Sequence, residues 1–367
     1  MKTVLSTIFI FIAIHLFGQQ FKIVNQEEVK NTYESAFQEL KQMMEGKTTP
    51  SFKRAVFITE NAFLNDTLDY ALFERTIKYL GDRCLNIENQ IQIDYQERDK
   101  VQIQKNFAVF KLMSDTVRFM EDSVNYIETR PFSYDFNDFW GELNWSQMFV
   151  TKLLRTGKGN CHSLPFLYKI LAEEIGTKAY LALAPNHTYI KQYAKQGGWY
   201  NTELTSNQFP IDSWVMASGY IHLSAIQNGI YMDTLSMNQT LAVCLIDLAK
   251  GFERKFPTDF NFLLKCSELA LLYYPNYTNA MILKAETMKK QFEQMMEKSQ
   301  VQYASQIFDK PEAKELFDKM EKLYLEIHQI GYRMMPKEMY VNWLVDLKRH
   351  KAKYENKKIG NFNQEKR

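Results

Sequence analysis

The sequence predicts an α+β fold: a helical N-terminal region, a small antiparallel sheet packed on a cysteine-bearing helix, and a helical C-terminal region with some tetratricopeptide-like character. Three observations predict it. Apolar residues recur at helical spacing before about residue 156 and again after about residue 226. Between residues 178 and 205, aromatic and β-branched residues crowd into short runs separated by Gly197-Gly198. The composition is that of a globular chain, 46% hydrophobic and 24% charged over 367 residues. That length suits about two or three domains and a core that needs no disulfide or metal staple.

Residues 1–19 read as a signal peptide, with Lys2 as the positive start, an apolar run from Val4 to Phe17 and Gly18 near a plausible cut. The run is too short to cross ~30 Å of hydrocarbon comfortably. The mature protein is therefore expected to be exported, periplasmic or secreted, with no stable membrane span after signal removal. Residues 20–134 read as helical. "VKNTYESAFQELKQMMEG" keeps the helical period and stops at Gly46, and "LDYALFERTIKYLGDRC" and "FAVFKLMSDTVRFMEDSVNYI" read as further helices. "NWSQMFVTKLLRTG" follows, with Gly157 placed to terminate it.

Residues 226–300 return to the helical period. "FNFLLKCSELALLYYPNYTNAMILKAETMKKQFEQMM" is a helix pair broken at Pro275. Ala270, Pro275 and Ala285 fall where one tetratricopeptide-like unit places small residues and its proline. Residues 301–347 hold the last helices, one of which opens with Pro311 and an acidic first turn. Residues 348–367, with eight Lys/Arg against two Glu, read as a basic flexible tail.

The whole chain carries a net +2, so the body without that tail is slightly acidic and no nucleic-acid partner is expected. Four cysteines are too few for a disulfide scaffold in an exported chain. Cys84, Cys244 and Cys266 sit among apolar residues and read as core thiols, with any pairing among them left open.

Cys161 differs. It lies in "GKGNCHSLPFLYKIL", where Gly157 and Gly159 allow a sharp turn and Asn160 is a natural N-cap. Leu164, Leu167, Tyr168, Leu171 and Ile175 then follow at helical spacing. A thiol at the positive end of a helix, near an imidazolium, has its pKa lowered, and the free N–H groups there can hold an oxyanion. Pro165 has no N–H for the Cys161 carbonyl, so either the regular helix starts a residue or two later or that carbonyl finds another partner.

His162 neighbours Cys161 but points roughly 100° away around a helix. His187, at the start of a strand after Pro185-Asn186, is the better base. On the next strand, Asn201 and Glu203 are candidates to orient it. Side chains alternate along strands, so Glu203 shares the His187 face if the intervening loop is odd in length or a bulge corrects the count, and Asn201 goes with it. Trp199 is a candidate shield against water.

These residues resemble the transglutaminase-like superfamily, relatives of the papain-like cysteine enzymes. "GNC" supplies Gly159 and Cys161, "NHTYI" supplies His187, and "WYNTELT" supplies Trp199, Glu203 and Thr205. Glu203 stands where the family usually has Asp. "YDFNDFWGELNW" and "SLPFLYKILAEEIG" resemble the bacterial transglutaminase-like regulator branch, some of whose members are not catalysts. The resemblance covers about residues 135–225. It implies a Cys161–His187–Glu203 triad acting on peptide or side-chain amide bonds of a peptide or protein substrate, by hydrolysis or acyl transfer.

The alternative is a catalytically inactive binding module that recruits a protein partner through the C-terminal helices. Cys161, His162, His187 and Glu203 match no closed zinc spacing, and no phosphate loop or dinucleotide fingerprint is present, so neither metal nor cofactor is expected.

Overall fold

Asn25, Ser51 and Asp69 each precede an apolar run at helical spacing, and each opens a helix by accepting a first-turn backbone N–H. These helices are α1 (Gln26–Met44), α2 (Phe52–Phe63) and α3 (Tyr70–Gln90). The computed structural model describes residues 25–120 and 125–362, so the expected signal peptide lies outside the described residues.

Helix α4 (Lys100–Ser114) follows. The stretch expected to continue it as a helix becomes an antiparallel hairpin of β1 (Val117–Met120) and β2 (Tyr126–Thr129). The local reason is a change of period. Val117 and Phe119 are buried while Arg118 and Met120 are exposed, and Arg118 reaches across to Glu128 at 3.0 Å.

Strand β3 (Ser133–Tyr134) and a 3-10 turn at Trp145–Met148 lead into α5 (Val150–Thr156). Gly157 ends α5 at φ 69°, as its position in the sequence anticipates. Strand β4 (Lys158–Gly159) pairs in parallel with β3. Helix α6 (Ser163–Glu174) comes next, then a three-stranded antiparallel sheet of β5 (Tyr180–Ala184), β6 (His187–Ala194) and β7 (Gly198–Thr202).

The remainder is helical: α7 (Asp212–Met216), α8 (Leu223–Gln227), α9 (Met237–Lys255), α10 (Phe260–Tyr273), α11 (Thr278–Lys298), α12 (Pro311–Gln329), α13 (Lys337–Arg349), α14 (Lys351–Tyr354) and α15 (Lys357–Phe362). A 3-10 turn at Ala304–Ile307 precedes α12. The fold is thus α+β, with helical regions on either side of a small sheet. Among the described residues no helix is long and apolar enough to cross a membrane. The four cysteines are all free and buried.

Helix α6 is the centre. It packs against α3, α4, α5 and the β5–β6 strands, and every residue from Ser163 to Ala172 is buried. Its apolar character on all sides, rather than along one stripe, follows from that position. One contiguous apolar core runs from Val29 through α6 and the sheet to Phe362, beneath described parts of each segment separated on sequence grounds from residue 20 onward. Two satellite clusters, around Met281 and Ile327 and around Phe292 and Ile307, lie under the α11–α12 pair.

The C-terminal stretch departs from the expected flexible tail as far as it is described. Tyr354, Ile359 and Phe362 are buried, and Phe362 meets Tyr95 edge-on at 4.8 Å. Its lysines had suggested solvation, but these apolar residues between them anchor it.

Candidate active site

Asn160 builds the loop that carries Cys161. Its side-chain oxygen accepts the backbone N–H groups of His162 and Ser163, each at 3.0 Å, and its amide donates to the Phe139 carbonyl at 2.9 Å. It therefore caps α6 and ties the loop to the 139–148 segment. Regular helix begins at Ser163, two residues beyond Cys161, as Pro165 allows. The capping takes the His162 and Ser163 N–H groups out of use as oxyanion donors.

Gly159 serves by its size rather than by its backbone angle. A Cβ there would meet Ser163 Oγ at 2.6 Å and Leu153 Cδ1 at 2.9 Å. Its pairing with Tyr134 across β3–β4 brings that tyrosine beside the cysteine loop.

His187 opens β6 directly after a two-residue turn, Pro185-Asn186, in which Asn186 takes φ 56°. Proline followed by asparagine suits such a turn. The turn brings the Asn186 carbonyl within 3.8 Å of Cys161 Sγ. The β6–β7 connection is Lys195-Gln196-Gly197, an odd three-residue loop between the paired Ala194 and Gly198. Glu203 consequently falls on the His187 face. His187 Nε2 donates to Glu203 Oε2 at 2.6 Å, and the side chains are 0% and 1% exposed. The other Glu203 oxygen accepts from the backbone and hydroxyl of Thr205, at 2.7 and 2.6 Å.

Burial alone would push the Cys161 thiol up; hydrogen bonding to His187 and the charge of that ring, helped by Tyr340 and His162, outweigh it and hold the thiol below its ordinary value. Burial likewise opposes charge on His187, but Glu203 and Cys161 push its pKa up to about 10.

Of the two candidate orienters, Glu203 holds the imidazole. Asn201 turns to the Pro210 carbonyl and Asp212, at 3.0 and 2.8 Å. Trp199 lies away from Cys161 at the hairpin end, half-exposed against Tyr180 and Tyr193, and does not shield the thiol.

His162 faces elsewhere, as its sequence position indicates. Nδ1 lies 3.0 Å from the Met148 carbonyl and Nε2 lies 2.8 Å from Asp247. Both nitrogens thus face acceptors. Burial disfavours the charged ring, but Asp247 outweighs it and the pKa stands above the ordinary value.

Two tyrosines escaped the sequence reading. Tyr340, on α13, is fully buried with Oη 3.1 Å from His187 Nδ1. The Tyr134 hydroxyl makes no hydrogen bond of ordinary geometry, yet it feels the charge of Cys161. No local pattern could have found Tyr340, which lies 153 residues beyond its partner in a helix that reads as core.

Comparison with protein-family models finds no match, and comparison with curated proteins finds none. Among solved structures, the chain is similar to menin, in a structure described as revealing the binding site for Mixed Lineage Leukemia (MLL) protein. Identity is 13%, 92% of this chain and 91% of that chain are covered, and the TM-score is 0.31. A likeness at that level carries no argument.

Proposed function

We propose that the chain is an exported cysteine enzyme of transglutaminase-like type, acting on peptide or side-chain amide carbonyls. The observation that supports it most is the His187 ring, with Nε2 on a buried carboxylate and the ring holding the Cys161 thiol below its ordinary value. Cys161 thiolate attacks the carbonyl carbon. A carbon–sulfur bond forms, and the carbonyl π pair moves to oxygen. Collapse breaks the carbon–nitrogen bond, and the departing amine takes the proton from His187 Nδ1. His187 then accepts a proton from water or an acceptor amine as that nucleophile attacks the thioester, and the thiolate is regenerated. Glu203 holds the ring and balances its charge throughout. Export rests on the residue 1–19 pattern alone.

Alkylation of Cys161 by iodoacetamide against pH, followed on the Cys161 peptide by mass spectrometry, tests the reading. An apparent pKa well below that of free cysteine, returning to it in His187→Ala, is the expected result. An ordinary thiol profile in the folded wild type sinks the reading. A second reading, a binding module without turnover, is favoured by one observation: Cys161 is 5% exposed and His187 is sealed under Tyr340. In that reading the C-terminal helices recruit a protein partner.

A further inference from the structure

The group that closes the site comes from the far end of the chain. Tyr340 Oη sits on His187 Nδ1, the nitrogen that must exchange a proton with the thiol and the leaving amine. One turn further along α13, Trp343 stacks on Trp214 at 4.5 Å, donates to the Trp214 carbonyl at 2.9 Å and meets the His187 ring edge-on at 5.4 Å. Just before α13, the Met335 carbonyl accepts from the Asn186 side chain at 2.9 Å. A carbonyl substrate needs access to Cys161 Sγ and His187 Nδ1 together, and Tyr340 of α13 occupies the second while Cys161 is 5% exposed.

The attachments of this segment are of two kinds. Upstream, Gly331 is wedged against α8, where a Cβ would meet Ser224 Oγ and the Ala225 backbone, so the end of α12 is fixed. Beyond it, residues 332–336 have no regular structure and Met334 is 76% exposed. Lys337 pins the start of α13 to Glu142 through a largely exposed ion pair at 2.7 Å. The far end is pinned by two backbone bonds, Ile211 N–H to the Tyr354 carbonyl and Asn356 N–H to the Phe209 carbonyl, each 2.8 Å. Between the pins, Tyr340, Trp343, Leu344 and Leu347 are buried, so the closed position is strongly preferred.

We propose that α13 is an autoinhibitory latch over the Cys161–His187 site, with Tyr340 standing where the leaving group would receive its proton. The proposal rests on the catalytic reading above for its meaning, but its test does not. The full chain is alkylated at neutral pH and the Cys161 peptide is followed by mass spectrometry, so the other thiols do not interfere. Wild-type Cys161 reacts slowly, on the order of 100-fold below the same protein in denaturant, because reaction waits on local opening. Tyr340→Ala, which removes the plug, raises the rate about tenfold or more. Lys337→Glu breaks the exposed pin to Glu142, takes the ammonium from over the Phe139 and Trp140 rings and sets like charges together, while Tyr340 and Trp343 stay in place; it raises the rate about threefold.

Wild-type reaction as fast as in denaturant overturns the latch, as does failure of both variants, folded by circular dichroism, to accelerate labelling. A low apparent thiol pKa with fast wild-type labelling leaves the catalytic reading standing and removes the latch. Acceleration in the variants with an ordinary thiol profile does the reverse.

Discussion

The chemistry reduces to a thiol, an imidazole and a carboxylate in a dry setting, where each charge depends on the next. Taking charges out of water is unfavourable unless they are paired and hydrogen-bonded, as His187 and Glu203 are at 2.6 Å. The pairing makes stability a function of pH. His187 has its folded pKa raised from 6.5 to about 10. Its contribution is therefore fully present below about 6.5 and lost as pH rises through about 10. Cys161 runs the other way: its lowered pKa contributes above the ordinary thiol value and is lost as pH falls through the lowered one. The two slopes oppose each other in the wild type. In Cys161→Ser only the Glu203 share of the His187 shift remains, so stability to urea should fall as pH rises above about 6.5, and the fall should be complete at a lower pH than about 10. Adding Glu203→Gln, which takes away the charge that raises His187, should flatten that fall. A flat profile in Cys161→Ser alone would mean that His187 is neutral. The residue types of this triad were legible in the sequence because each needs a special local setting. Tyr340 was not, because a tyrosine in an apolar helix is most often packing.

At the scale of elements, the site is held by two connections, and both were partly readable. Of the two ways to bring Glu203 to the His187 face, an odd loop or a bulge, the odd loop Lys195-Gln196-Gly197 is the one found. What parity could not do was separate Glu203 from Asn201, since alternation treats them alike; Asp212 separates them by drawing the Asn201 amide away. The helix start was legible through Asn160 and Pro165, whereas the role of Gly159 was not. Its need is for space between β4 and α6, which only packing reveals. Gly159→Ala should therefore destabilise the protein by about 1–3 kcal/mol through overpacking. It should also disturb Cys161, because the displaced Ser163 Oγ accepts the Asn160 N–H at 3.1 Å. Gly157→Ala meets no atom within 4 Å and carries only the strain of φ 69°, which serves as the comparison. Urea titration of both, with Cys161 alkylation as a local probe, checks the contrast; equal effects on the thiol would contradict it. The hairpin β1–β2 was misread because "TVRFMEDSVNYI" satisfies a helical period as well as an alternating one, and the competing apolar face decides only after folding.

Across the whole molecule, burial is unevenly shared. The helices of the first hundred residues, the sheet, α9, α10 and the C-terminal segment all feed one apolar core around α6. The boundaries drawn from sequence followed changes of period, which mark where elements change type; they carry no information about which elements share a core. The α11–α12 pair joins that core only near the start of α11, through Ala280 and Leu283. Its inner part rests on Met281, Ala285 and Ile327, and its outer part on Phe292, Ile307 and Ala313 with Phe308 and Phe317 around them. Phe292 and Phe317 meet at 5.2 Å, but neither belongs to the main core. A region with few buried apolar partners opens at lower free energy than one tied to the main core. The 292–317 stretch should therefore exchange its amide hydrogens faster than α6 and β6, and with a lower dependence on denaturant. Phe292→Ala removes the largest fully enclosed ring of that cluster and should speed exchange there by loss of about 3–5 kcal/mol of local stability, up to what the region possesses. Exchange in α6 and the alkylation rate of Cys161 should stay unchanged. If the substitution instead loosens α6 or alters Cys161, the outer hairpin and the site belong to one cooperative unit, and the C-terminal half acts on the thiol as a whole rather than through α13 alone.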